Sequence, residues 1–325
     1  MGVNMNYIDS VIEKLKRESK RKIVLPESED ERIIEAANIA SSFAEIYLIG
    51  DDSIKDKVND NVNIINPLEF NRLDEMCETF YNLRKDKGLS KEEAYDLVRN
   101  NSRYFATMLV YLGICEGEVT GANHTSADTF RSAFQICKPK SGKASAFNIM
   151  EFQNKNIGNN GVVIFADTGL NQNPDSETLA KIAFDSSVSY ERLVGGEAIV
   201  GMISHSTNGS SICDDQKKVV EALNICLKNH PNLLIDGEMQ FDTAVDTEVA
   251  LKKMPNSTVA GHVNTFIFPD LDAGNTAYKI AQRIGNANAY GPITQGLENP
   301  INDLSRGCSV EDIVGAIAIT CLQVK

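Results

Sequence analysis

The chain has 325 residues, enough for about two domains and for a large core that needs no disulfide or structural metal. Its 45 acidic and 32 basic side chains give a net charge of −13, and 42% of its residues are hydrophobic. This balance argues against a protein that binds nucleic acid or an anionic membrane, because both usually require a basic surface.

The N-terminal part of the chain alternates short apolar runs with amphipathic segments. Residues 21–26 (RKIVLP) predict a buried strand that ends at the proline, and residues 27–43 predict a helix with acidic residues in its first turn. Residues 45–52 predict a second strand, and residues 73–90 predict an amphipathic helix that is closed by Gly88. Another helix is expected to start at Lys91. Residues 102–137 show apolar residues at helical spacing on both sides of a glycine-containing loop.

The C-terminal part continues the same alternation after Lys138–Lys143 (KPKSGK), which predict a linker. The segments beyond it predict strands that run into polar loops, at residues 161–170, 197–207, 232–239 and 264–275, and helices, at residues 214–231 and 276–286. Strands that alternate with helices predict an α/β fold with mostly parallel sheets. Because ligands bind beyond the carboxyl ends of such strands, the candidate binding loops are residues 203–211, 235–242 and 268–275.

The termini and the cysteines bear on location and metal binding. The N-terminus lacks the apolar core of a signal peptide, and no segment reaches the roughly 18 apolar residues of a membrane span, so we expect a cytoplasmic protein. The seven cysteines form no C-x-x-C pair and the four histidines are scattered, which predicts reduced thiols and no zinc site. The acidic trio Asp236, Glu238 and Asp242 suits either a metal site or exposed carboxylates after a strand, and we favour the latter.

Several motifs of nucleotide-binding and hydrolytic enzymes are missing. The sequence has no G-x-G-x-x-G after a strand, no Walker A lysine and no G-x-S-x-G. The segment Ser206–Ser211 (STNGSS) follows a predicted strand and precedes a helix. Its small residues suit an anion cradle, with Ser206, Thr207, Gly209 and Ser210 as the candidate ligands, or an ordinary loop with helix-capping serines.

The segment Asn302–Thr320 (NDLSRGCSVEDIVGAIAIT) allows two interpretations. Ser309 and Asp312 fit a capping box at the start of an apolar helix, which makes Asp312 structural and Arg306 a surface residue. The same helix N-terminus favours anions. Arg306 before it suits a phosphoryl group, Ser305 supplies a hydroxyl and Asp312 can accept a proton. The local pattern alone leaves both interpretations open.

Motifs along nearly the whole chain resemble the phosphate acetyl/butyryltransferase family, and the acetyl type in particular. They include RKIVLPESEDERIIEAA, LRKDKG (Leu83–Gly88), GANHTSADTFRSAFQI (Gly121–Ile136), SHSTNGSS and DGEMQFDTAV, in family order. The most specific are AGHVNTFIFPDLDAGNTAYKIAQRIG and GPITQGLENPINDLSRGCSVEDIV. The sequence departs from the family pattern at Glu118, where an apolar residue is usual, and at Asn101–Ser102, where Asp-Pro is usual.

The resemblance implies two α/β domains of the isocitrate/isopropylmalate dehydrogenase type, with the active-site cleft between them. It places residues 1–140 and 287–325 in domain I and residues 141–286 in an inserted domain II. It also implies a homodimer, coupling to an acetate kinase, and a reversible reaction of acetyl-CoA and phosphate to coenzyme A and acetyl phosphate. Coenzyme A is then a substrate, and neither a permanent cofactor nor a metal is expected.

The resemblance also assigns roles to single residues in this chain. Asp312 takes the thiol proton of coenzyme A, Ser305 orients the thiol, and Arg306 holds acetyl phosphate, with direct transfer in a ternary complex. Arg84 and Arg131 contact phosphates of coenzyme A, and Cys308 lies near the site without acting as a nucleophile.

The proposed base raises a physical difficulty. An ordinary carboxyl group has a pKa of about 3.9 and a thiol about 8.5, so the proton transfer is uphill by roughly 6 kcal/mol. A desolvated Asp312, a thiolate stabilised by cations such as Arg306, or proton loss in concert with attack would each solve this, and the sequence leaves all three open.

Three alternatives to the acetyltransferase are kept. A phosphate butyryltransferase-like enzyme would use a larger acyl group. A non-catalytic module that senses acyl-CoA would bind acetyl-CoA without turnover. A metal-dependent decarboxylating dehydrogenase with the same fold would need a nicotinamide cofactor, for which we find no signature.

Overall fold

The computed structural model describes residues 5–137, 139 and 142–324. The chain folds as two compact units, Met1–Gly142 with Leu297–Lys325, and Lys143–Gly296. Each unit contains its own β-sheet with helices, as expected for an α/β fold. Of the predicted linker Lys138–Lys143, residues 138, 140 and 141 lie outside the described residues.

The first unit is built on a five-stranded sheet in the order β11-β4-β1-β2-β3, in which every pairing is parallel. Its strands are β1 (Lys22–Leu25), β2 (Glu45–Ile49), β3 (Val62–Ile65), β4 (Gly117–Thr120) and β11 (Ile301–Asp303). Its α-helices are α1 (Tyr7–Leu15), α2 (Glu31–Ala40), α3 (Leu73–Arg84), α4 (Lys91–Asn100), α5 (Ser102–Tyr111), α6 (Ser126–Ile136) and α12 (Val310–Gln323).

The sequence explains these elements. In β1, Ile23, Val24 and Leu25 are fully buried, as expected for a short apolar strand that is covered on both faces. Helix α12 packs against α1 and α2 and lies over β1 and β4, with Ile313, Ile317 and their apolar neighbours inside. The turn after α3 ends at Gly88, whose φ of 87° is the left-handed conformation predicted for that position.

The second unit is built on a six-stranded mixed sheet in the order β10-β5-β6-β9-β7-β8. Its strands are β5 (Ser145–Glu151), β6 (Val162–Ala166), β7 (Val200–Ile203), β8 (Ile235–Met239), β9 (Thr265–Ile267) and β10 (Asn288–Gln295). Its helices are α7 (Ser176–Leu193), α8 (Asp214–Asn229), α9 (Phe241–Val245), α10 (Thr247–Lys253) and α11 (Leu271–Arg283). The pairings among β6, β9, β7 and β8 are parallel, and β10 and β5 join by antiparallel pairing.

Strand β10 changes the expected extent of the second unit. We expected the chain to return to the first unit at residue 287. Instead, Asn288–Gln295 pairs with Ser145–Glu151, and the second unit runs to Gly296. The hydrogen bonds of this antiparallel ladder hold the segment to the second sheet.

Strand β4 also differs from expectation, because we placed Gly117–Thr120 in the loop between two helices. The segment is an interior strand that pairs with β1 on one side and β11 on the other. A charged residue, Glu118, occupies it and is fully buried. Since all strands of this sheet are parallel, the loops after β1, β4 and β11 lie at one edge, and they carry the candidate site.

Candidate active site

The predicted motif lies in the loop between β11 and α12. The backbone amide of Leu304 donates to the carbonyl of Thr120 at 2.7 Å, which ties the start of this loop to the end of β4. Ser305 and Arg306 are exposed, whereas Cys308 is buried at 6% exposure. Within the part of the chain that the structure describes, the Arg306 guanidinium has no ion pair and no hydrogen bond, so it is free to bind an anion.

Asp312 occupies the capping position predicted from the sequence and remains exposed. The backbone amide of Ser309 donates to Asp312 Oδ2 at 2.9 Å, and the amide of Asp312 donates to Ser309 Oγ at 3.2 Å. Asp312 Oδ1 makes no hydrogen bond to any described residue. One oxygen therefore holds the helix terminus and the other is available to a ligand, so the structural and the catalytic interpretation of Asp312 are compatible.

Cys308 lies beside these residues but is poorly suited to act as a nucleophile. Burial raises the pKa of its thiol, and the positive charge of Arg32 only partly opposes this effect. The thiol is therefore protonated at neutral pH, whereas a nucleophilic cysteine needs the thiolate.

Arg32, near the start of α2, fixes the motif loop and was not identified from the sequence. Its Nη1 donates to the carbonyl oxygens of Arg306 and Cys308 at 3.0 and 2.9 Å, and its Nη2 donates to the carbonyl of Ala122 at 3.1 Å. Asp30 orients the guanidinium through contacts of 2.6 and 3.1 Å. The hydrogen bond from Arg32 lowers the pKa of Asp30, so the pair stays ionised.

Glu27, in the loop after β1, organises the neighbouring loop in the same way. Its carboxylate is fully buried and accepts hydrogen bonds from the backbone amides of Gly121, Ala122 and Asn123 at 2.8, 3.0 and 3.0 Å. His124 Nε2 lies 3.7 Å from the same carboxylate. The available sequence signal was the polar run PESEDER directly after a buried strand, at the edge where ligands bind.

The two arginines predicted to contact coenzyme A lie on other helices of the first unit. Arg84 is the last residue of α3, and Arg131 lies in α6 with its Nη1 3.4 Å from Asp128. Burial raises the pKa of Tyr104, and the positive charges of Arg131 and Arg84 oppose that effect. Both arginines therefore lie within electrostatic range of the Tyr104 hydroxyl.

The loop Ser206–Ser211 in the second unit already contains an anion of the protein itself. Glu238 Oε1 accepts hydrogen bonds from Ser206 Oγ and from the amide of Gly209, each at 2.8 Å. Ser206 and Thr207 are buried, whereas Gly209 and Ser210 are exposed. The small residues therefore form a cradle of hydrogen-bond donors that is occupied by the carboxyl group of Glu238 on β8.

The acidic trio is spread over separate partners. Glu238 is bound by the loop just described, Asp242 pairs with Lys253 at 2.8 Å, and Asp236 accepts a hydrogen bond from Ser257. Among residues 5–137, 139 and 142–324, no three His, Cys, Asp or Glu side chains form a group that could hold a metal ion. The same residues include no helix that is both long and apolar enough to cross a membrane.

Comparison with known proteins places the chain in a family. The family model for phosphate acetyl/butaryl transferase matches residues 7–321. A phosphate acetyltransferase from Acetivibrio thermocellus is 44% identical over 99% of both chains, and one from Thermoanaerobacterium thermosaccharolyticum is 44% identical over 99% of this chain and 100% of its own. The crystal structure of a phosphotransacetylase from Streptococcus pyogenes superposes with a TM-score of 0.91 at 39% identity, and covers 98% of this chain and 99% of its own. These similarities show that the chain belongs to the phosphate acetyl/butyryl transferase family.

Proposed function

We propose that this chain transfers an acetyl group between acetyl phosphate and coenzyme A. The observation that carries the proposal is the exposed Ser305–Arg306 pair in the loop before α12, together with the exposed Asp312 in the first turn of that helix, whose Oδ1 is free of hydrogen bonds to described residues. Arg306 is unpaired among the described residues, and its planar guanidinium suits the phosphoryl group of acetyl phosphate. The high identity to phosphate acetyltransferases supports the acetyl group as the transferred unit.

In the proposed reaction, the sulfur of coenzyme A attacks the carbonyl carbon of acetyl phosphate and phosphate leaves. Arg306 holds the phosphoryl oxygens and stabilises the charge that develops on the leaving group. Ser305 orients the thiol, and Asp312 Oδ1 accepts its proton. Cys308 forms no acyl intermediate, because its buried thiol is protonated and Arg32 is engaged with the carbonyls around it.

The environment of Asp312 favours one solution to its mismatch with the thiol. The side chain is exposed, and its Oδ2 accepts a hydrogen bond from the Ser309 amide, so the carboxylate is not enclosed in a dry pocket of described residues. We infer that proton transfer accompanies the attack, while Arg306 stabilises the charge on the leaving phosphate. The upstream arginines Arg84 and Arg131 then bind phosphates of coenzyme A. In the loop Ser206–Ser211 of the second unit, Ser206 and Thr207 are buried, so we assign substrate contact to the exposed Gly209 and Ser210.

The wider architecture follows from the family resemblance. Five of its implications stay predictions. They are a dehydrogenase-like arrangement with a cleft between the domains, a homodimer, a cytoplasmic location, the absence of a permanent cofactor and coupling to an acetate kinase.

The direct test is thioester formation from acetyl phosphate and coenzyme A without nucleotide or added metal. We expect rapid turnover, and a loss of roughly 100- to 1,000-fold in kcat/KM for Arg306→Ala, which removes the phosphate clamp. Asp312→Asn keeps a capping acceptor but loses the base, so it should lower kcat without raising the KM for acetyl phosphate. Tight binding of acetyl-CoA without turnover would overturn the proposal in favour of a sensor, and faster turnover of butyryl phosphate would reassign the acyl group.

A further inference from the structure

Three arginines from three helices of the first unit lie within electrostatic range of Tyr104. Arg84 ends α3, Arg103 is the second residue of α5, and Arg131 lies in α6. Tyr104 is buried, and its hydroxyl donates to Gln135 Oε1 at 3.0 Å. Burial raises the pKa of this phenol, and the charges of Arg131, Arg103 and Arg84 each oppose that rise. We call these three residues the arginine cluster.

The arginine cluster has less negative charge around it than its three cations require. Arg131 has Asp128 at 3.4 Å, in a pair whose arginine side chain is 60% exposed. Asp128 also lies within electrostatic range of Arg103. The guanidinium groups of Arg84 and Arg103 form no ion pair and no hydrogen bond with any described residue. An uncompensated set of cations in a chain with a net charge of −13 points to an anionic ligand.

Arg103 is the unusual member, because its Nη1 atom is buried and has no hydrogen-bond partner. Glu118 on β4 lies within electrostatic range of Arg103 but forms no ion pair with it. Oε2 of this carboxyl group accepts a hydrogen bond from Thr107 at 2.8 Å, and its buried Oε1 has no partner. Burial raises the pKa of Glu118 to about 8, and the nearby charge of Glu27 adds to the rise. Burial therefore favours the neutral acid, although the charge of Arg103 opposes this effect, and no carboxylate pairs with the Arg103 guanidinium among the described residues.

We propose that Arg103 binds a phosphate group of coenzyme A together with Arg84 and Arg131. This inference rests on the proposed function, which makes coenzyme A a substrate and assigns it only the other two arginines. A guanidinium presents a planar fork of N–H donors that matches phosphate oxygens, and an unpaired donor gains most from such an acceptor. Arg103 directly follows Asn101–Ser102, where this sequence departs from the family pattern.

The test compares Arg103→Gln with a matched control, Arg99→Gln. Arg99 lies in the last turn of the neighbouring helix α4 and already pairs with Asp74 at 3.3 Å. We expect the KM for coenzyme A to rise roughly 10- to 100-fold in Arg103→Gln, as when a charge-assisted hydrogen bond is lost, with kcat and the KM for acetyl phosphate unchanged. Arg99→Gln should leave all three constants unchanged.

Dephospho-coenzyme A, which lacks the 3′-phosphate, identifies the phosphate. If Arg103→Gln raises the KM for coenzyme A but not for dephospho-coenzyme A, Arg103 binds the 3′-phosphate. If the variant raises the KM for both compounds, Arg103 binds the pyrophosphate. Either result supports the proposal. An unchanged KM for coenzyme A, or a rise confined to acetyl phosphate, would overturn it.

Three further measurements separate binding from folding and from the proposed function. Arg103→Lys keeps the charge and should bind coenzyme A more tightly than Arg103→Gln. If Arg103→Gln fails to fold, the double variant Arg103→Leu/Glu118→Leu removes both buried polar groups, and the same rise in KM is expected. Wild-type protein without any turnover would refute the proposed function, whereas normal wild-type turnover with an unaffected Arg103→Gln would refute only this inference.

Discussion

Replacing Glu118 by glutamine should remove a pH-dependent loss of stability from the first unit. The carboxyl group is fully buried in β4, and burial raises its pKa from 4.5 to about 8. The folded state therefore holds this proton more tightly than the unfolded chain does. Between pH 4.5 and about 8, unfolding releases the proton, so a rise in pH favours the unfolded state.

The size of the effect follows from the same two pKa values. Within this window the free energy of unfolding falls by about 1.4 kcal/mol for each pH unit. Over the whole window the loss approaches about 5 kcal/mol, which is an upper limit for one group. Glutamine has the same shape and can still accept the hydrogen bond from Thr107, but it does not ionise.

The assay is urea unfolding of the wild-type protein and Glu118→Gln at half-unit steps from pH 5 to 9. We expect the stability advantage of the variant to increase with pH up to about 8 and then to level off. The exposed Glu13 is a matched control, because its hydrogen bond to Lys16 lowers its pKa, and Glu13→Gln should give a difference that is flat above pH 5. A difference between wild type and Glu118→Gln that does not change with pH would refute the reasoning.

Substitutions at three other positions test the construction of the site. Arg32→Gln releases the carbonyls of Arg306 and Cys308, and should lower kcat/KM for acetyl phosphate at least about tenfold in steady-state assays. Arg32→Lys should not restore kcat/KM, because lysine lacks the planar fork of donors. Ser309→Ala removes the cap of α12 and should cost about 1 kcal/mol of stability in urea unfolding, and an unchanged midpoint would contradict the capping role. Gly121 has a φ of 106°, and a Cβ at this position would overlap Asp303 Oδ1 and lie 2.9 Å from the Leu304 amide nitrogen. Gly121→Ala should therefore lower the thermal unfolding midpoint by several degrees.

The alternation of strands and helices was predictable because it depends on local patterns. The apolar run ended by Pro26 and the capping box at Ser309 each specify their element within a few residues, and the structure confirms both. Strand β4 was missed because its four residues include the charged Glu118, which breaks the apolar pattern of a buried strand. Strand β10 was missed because it contains Gly291 and Pro292, which usually mark a turn.

The site was predictable only in part, for a related reason. Family motifs point to the exposed residues Ser305, Arg306 and Asp312. Arg32 acts through backbone carbonyls more than 270 positions further along the chain, and no local pattern records such a contact. Glu238 likewise fills the loop at Ser206–Ser211 from another strand, so the small residues alone indicated a cradle but not its occupant.

The return of the chain to the first unit has a consequence for biosynthesis. Strand β11 and helix α12 are made after the second unit, yet β11 pairs with β4 and α12 covers β1 and β4. Until these residues leave the ribosome, the apolar side chains of β1 lack part of their cover and Arg32 has no motif loop to hold. The second unit contains all of its own strands and can fold earlier, so a nascent chain completes its inserted unit before the one in which it began.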